Sequence, residues 1–68
     1  MSEQHIGFLQ DVLITIHVNI RELKERRNFS DPAELTHIEA KLLAYIEMLA
    51  ILRQSADEFG IDRKEIGL

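Results

Sequence analysis

A glutamate and a histidine three positions apart provide the spacing in this chain that is most typical of a metal site. The stretch Glu34-Leu-Thr-His37 matches the Glu-x-x-His pattern with which di-iron helical bundles direct a carboxylate and an imidazole into their core. Here Leu35 and Ile38 occupy the apolar positions of the same helix, so His37 should face solvent. Glu34 is placed to cap the helix start. We therefore predict no metal ligand and no cofactor.

The remaining nucleophiles and bases do not form a catalytic set either. His5 and His17 flank an apolar stripe, where a histidine is usually a boundary residue, although His17 could make an interface sensitive to protonation. The sequence has no cysteine, no glycine-rich phosphate loop, and no Ser/His/Asp set in an orienting context. We predict no catalytic residue and a protein that is not an enzyme.

The first half of the chain contains one concentrated group of cations, which are candidate nucleic-acid contacts: Arg21, Lys24, Arg26 and Arg27. Glu22 and Glu25 interrupt this group, and the formal net charge is −4. Nucleic-acid affinity rests mainly on neutralised phosphates. We therefore expect any such binding to be weak.

Two apolar stripes with alternating steps of three and four residues must position these side chains. The first is made of Ile6, Leu9, Leu13, Ile16, Ile20 and Leu23. The second is made of Leu35, Ile38, Leu42, Tyr45, Leu49, Leu52, Ala56 and Phe59. Each stripe predicts an amphipathic helix, and the polar stretch between them predicts an antiparallel helical hairpin in an all-α, single-domain chain of residues 1–68.

Local signals set the ends of these helices. Asp31 before Pro32 is suited to an N-cap, with Glu34 completing a capping-box pattern, and Gly60 is suited to the left-handed position after a helix. We predict helix 1 over about 3–28, a turn at 29–31, helix 2 over about 32–59, and a short tail at 60–68. A weak capping box starting at Asp62 allows one more helical turn in that tail.

The segment of residues 12–20 also fits a β-strand. Most of its residues are β-branched and its polar and apolar residues nearly alternate, which favours a half-buried strand. In that alternative, two chains would pair as a ribbon-helix-helix dimer with this segment facing DNA. The apolar stripe continues unbroken through the segment and on both sides of it, so we prefer a helix.

Further apolar residues outside the stripes lie at similar distances from the turn and predict an interface. We name eight of them the apolar waist: Val12, Ile14, Val18, Leu43, Ile46, Met48, Ala50 and Ile51. A monomer would expose the waist to water, so we predict a homodimeric four-helix bundle, with a second protein as a further partner. No segment has the length and apolarity to span a bilayer and no signal peptide is evident, so we expect a cytoplasmic location.

The chain resembles two families in outline. Its length, its turn position and the Phe59-Gly60 ending of helix 2 are similar to those of the plasmid regulator Rop, a resemblance that implies a hairpin dimer that binds RNA. Its size, acidity and hairpin pattern also resemble the helical-hairpin chaperones of type III secretion, which implies a protein client. We expect a small protein–protein interaction module, with a nucleic-acid regulator as the alternative.

Overall fold

A computed structural model of the protein describes residues 2–68, and their regular secondary structure is entirely helical. Helix α1 runs Glu3–Arg27, α2 runs Pro32–Glu58, and a short α3 runs Arg63–Ile66. The two long helices pack against each other as a hairpin. The all-α prediction is confirmed. Residues 12–20 are helical, so the ribbon-helix-helix alternative is wrong.

Burial along α1 explains why the helix prevails over the strand. Leu13, Ile16 and Leu23 are buried, and Leu9 and Ile20 are partly buried against the core. These residues share one face of a helix but would alternate between two faces of a strand. The free energy of burying one continuous stripe therefore outweighs the strand preference of β-branched residues.

Side-chain caps begin both long helices, and the cap of α2 lies where the sequence predicts. The Ser2 hydroxyl accepts a hydrogen bond from the backbone N–H of His5 at the start of α1. At the turn, Asp31 Oδ1 accepts from the N–H of Glu34 at 2.9 Å, and Pro32 occupies the first turn of α2. Both caps satisfy N–H groups that have no partner within the helix.

The core is a single layer of side chains between α1 and α2. Near the turn it consists of Leu23, Ile38 and Leu42. Towards the open end it contains Leu13, Ile16, Leu49, Ala56 and Ile66. Phe59 differs from the prediction: it follows the spacing of the second stripe but is 81% exposed, because α2 ends at Glu58 and the chain turns away from the seam.

The tail folds back over the open end of the hairpin. Gly60 adopts a left-handed conformation (φ 68°), and the N–H of Ile61 donates to the carbonyl of Ala56 at 2.8 Å. Ile66 in α3 is then 4% exposed and packs in the larger core cluster. The Gln10 amide donates to the backbone carbonyl of Glu65 at 2.8 Å, which joins α3 to α1.

The resulting molecule is a thin rod. Its Cα atoms span 45 × 20 × 13 Å, so the hairpin is one helix thick. Within residues 2–68 no helix combines the length and apolarity that crossing a membrane requires. Both broad sides of the rod face solvent, and the candidate functional residues lie on them.

Candidate interaction surface

Seven of the eight waist residues are exposed, and Val18 is half-buried. Ile14, Leu43, Ile46 and Ile51 each expose more than half of their surface. The hairpin seam alone therefore leaves most of this apolar surface in water. Exposed side chains of this size on one small chain are the strongest functional signal of the structure.

A groove between α1 and α2 runs along one broad side of the rod, and we call it the histidine groove. It has a volume of about 400 Å³ and an apolar lining of Ile20, Leu42, Leu43, Ile46 and Leu49. His17, Lys24, Arg27 and Glu39 complete the lining. His17 also lines a smaller groove with Ile14 and Ile66, so the apolar surface continues towards α3.

A second groove lies on the opposite broad side, and we call it the tyrosine groove. Its lining includes Asn19, Ala44, Tyr45 and Met48, with Tyr45 partly buried. The Asn19 amide donates to the Tyr45 hydroxyl at 3.1 Å, which joins the two helices across the floor. This polar floor distinguishes the tyrosine groove from the more apolar histidine groove.

The waist residues are divided between these two sides. Ile46 and Met48 are two positions apart and so project about 200° apart around α2. By the same period, Leu43 and Ala50 fall with Ile46 around α2, and Ile51 falls with Met48. Around α1, Val18 falls with Ile14 on the side of the histidine groove, whereas Val12 falls on the side of the tyrosine groove. Five waist residues therefore belong to the side of the histidine groove and three to the side of the tyrosine groove.

The structure divides the four candidate nucleic-acid contacts as well. Lys24 and Arg27 line the histidine groove, whereas Arg26 lines the tyrosine groove with Glu22 and Lys41. Arg21 is exposed on α1 and lines neither groove. The four side chains therefore do not form one basic face.

The candidate metal ligands remain apart from any ligand set. Glu34 and His37 are both exposed at the start of α2. Over residues 2–68, no three side chains of the histidine, cysteine, aspartate and glutamate types gather as a metal site requires. His5 lies beside the N-cap, with its Nδ1 atom 2.7 Å from the Ser2 hydroxyl. At the start of α2, the Asp31 carboxylate accepts from the backbone N–H of Glu34.

One ion pair forms within the part of the chain that the structure describes. The Arg63 guanidinium donates from Nε and from a terminal nitrogen to the two oxygens of Asp57, at 3.0 and 2.5 Å. These hydrogen bonds, aided by the attraction between the opposite charges, hold the pKa of Asp57 below its usual value and raise the pKa of Arg63. The pair joins α3 to the end of α2, and both groups are exposed, so its role is in local geometry.

Three phenylalanines belong to the exposed apolar surface, although the sequence did not single them out as surface residues. Phe8, Phe29 and Phe59 are 67%, 90% and 81% exposed. Phe8 precedes Val12 by one helical turn and so extends the side of the tyrosine groove. Its position off the first stripe is the signal that could have identified it. In comparisons of this chain with protein-family models, curated proteins and solved structures, nothing matches.

Proposed function

We propose that this protein is a small, non-enzymatic protein–protein interaction module that self-associates into a homodimeric four-helix bundle. It acts by helix-on-helix contacts, and its cellular role is to bind a further protein in the cytoplasm. The support comes from the amount and the chemistry of the surface that the single hairpin leaves in water.

The surface area of the hairpin carries this proposal. The chain exposes 5239 Å², whereas a compact monomer of 7.9 kDa would expose about 4,400 Å². The difference is close to the roughly 800 Å² that each partner contributes to a standard protein interface. The radius of gyration of 14.4 Å, against about 11 Å for a compact chain of this length, has the same cause.

The exposed surface also has the chemistry of an interface. Nine large apolar side chains are at least 38% exposed, three of them phenylalanines. The buried core of a homodimer interface is more apolar than the rest of a protein surface and is enriched in aromatic residues and methionine. Pairing two single-layer rods produces the two-layer packing that stable helical domains have.

Sedimentation equilibrium tests the proposal directly. At micromolar concentration the unmodified chain should have twice the 7.9 kDa mass of the monomer, and 1 M salt should not dissociate it, because apolar burial is not screened. Ile46→Asp should yield a helical monomer, since Ile46 is exposed in the single hairpin. Ala40→Asp is the matched control, since Ala40 lines neither groove. A folded monomer for the unmodified chain would disprove self-association.

A further inference from the structure

We propose that the second copy binds across the histidine groove with its turn at the same end as the first, so that α1 of each copy packs on α2 of the other. This inference rests on the proposed self-association and specifies its face and its orientation. The two-fold axis then runs along the rod. The tyrosine groove remains on the two outer sides of the dimer.

The apolar lining of the histidine groove, rather than the number of exposed apolar side chains on each side, supports the choice. Ile14, Leu43 and Ile46 are each more than half exposed around a groove with an apolar floor. The opposite side has the polar Asn19–Tyr45 hydrogen bond at the centre of its groove. The core of a homodimer interface is more apolar than the rest of the surface, which favours the histidine groove.

The charges at the edge of the groove determine the orientation. Lys24 and Arg27 lie on the α1 edge and Glu39 on the α2 edge, near the turn. Within the described chain, none of these three forms an ion pair, since the Asp57–Arg63 pair is the sole one. When two copies face each other with their turns together, both cations of each copy lie opposite Glu39 of the other.

The arrangement with turns at opposite ends lacks this complementarity. A two-fold axis that crosses the rod at His17, which lines both grooves on this side, would exchange the turn end with the open end and place Lys24 opposite Gln10 of the second copy. Gln10 is uncharged and already donates its amide to Glu65. Complementary charges fix the orientation of an interface more than its affinity, so they favour turns together.

Two charge-reversed proteins test both the face and the orientation. The double variant Lys24→Glu with Arg27→Glu should raise the dimer dissociation constant about tenfold, and Glu39→Lys alone should also weaken the dimer, because each places like charges opposite each other. An equimolar mixture of the two variants should recover the original affinity. In that heterodimer both contact zones again pair opposite charges.

The recovery on mixing separates the proposal from an effect within one chain. A loss of stability inside each hairpin would persist in the mixture, which circular dichroism of the separate variants would also reveal. As a second measurement, Asn28→Cys places a spin label at the turn of a chain that has no other cysteine. Turns together predict a label–label distance below half of the 45 Å rod length, whereas turns apart predict a distance near that length.

The outcomes distinguish this inference from the proposed function. A dimer whose affinity does not recover on mixing, with spin labels a rod length apart, would overturn the orientation and leave self-association intact. A dimer that none of the charge changes affects would overturn the choice of face. A monomeric unmodified chain would disprove the proposed function itself.

Discussion

At the scale of single residues, the contact between Asp57 and Arg63 shows how a surface pair can order a chain end. Its two hydrogen bonds hold the guanidinium in one orientation next to the last turn of α2. Isolated surface pairs of this kind contribute little to stability. The main effect of the ion pair is therefore to fix the path of the chain from Gly60 into α3.

The same pair predicts a pH effect. The pKa of Asp57 is lower in the folded protein than in the unfolded chain, where it is about 3.9. The contribution of Asp57 to stability is therefore present above the unfolded-state pKa and is lost as the pH falls through the folded-state pKa. Arg63→Gln should move the Asp57 pKa up towards its ordinary value, measured by carboxyl NMR titration. Arg63→Lys is the control that keeps the charge without the two-pronged geometry. An unchanged pKa in the Gln variant would show that the pair is absent in solution.

Residue-level prediction from sequence succeeds where the cause is local. The Asp31 cap depends on a carboxylate, a following proline and a helix start, all adjacent in the chain. The period predicts that Phe59 lies in the seam, but the period applies only while the helix continues. The exposure of Phe59 depends on where α2 ends and on how the tail then turns.

At the scale of elements, the short helix α3 completes the core at the open end of the hairpin. It has only four residues, so it cannot persist by its own hydrogen bonds. Its stability comes from Ile66, which packs with Leu13 and Leu49 of the long helices. The sequence indicated the extra turn through Asp62 but gave no sign that α3 would close the core.

Truncating Ile66 should therefore destabilise the whole hairpin. We expect Ile66→Ala to lower the free energy of unfolding by about 2–5 kcal/mol, since the residue is 4% exposed. Phe59→Ala, at an exposed position nearby, should change it by less than about 0.5 kcal/mol. Urea titrations at one fixed protein concentration measure both. Equal losses in the two variants would contradict the closing role of α3.

The sequence alone does not determine how the waist residues are divided between the two broad sides of the rod. Distance from the turn gives the height of Ile46 and Met48 along the rod, and both heights are similar. The side on which each projects depends also on which flank of α1 the second helix occupies. That handedness is set by the packing of the whole hairpin, and no single residue of the turn specifies it.

At the scale of the whole molecule, the separation of positive charge argues against nucleic acid as the main ligand. Lys24 and Arg27 border one groove, whereas Arg26 and Lys41 border the other, on a chain of net charge −4. We expect binding of a labelled RNA hairpin or DNA duplex to be weak and to lack sequence preference, measured by fluorescence anisotropy at 50 and 200 mM salt. Tight binding to one defined RNA, falling steeply with salt, would instead favour the Rop-like alternative.

The two ends of the rod differ, since the tail folds back over one of them. Because α3 packs beside Gln10 and Leu13, the last described residues lie at the same end as the start of α1, and the turn lies alone at the other. With the turns of two copies together, the start of α1 and the last described residues of both copies would lie at one end of the assembly. The two ends of such an assembly differ. If it were attached to a surface or a larger protein at the end that holds α3, its long axis would project outward, and both outer sides and the paired turns would be exposed.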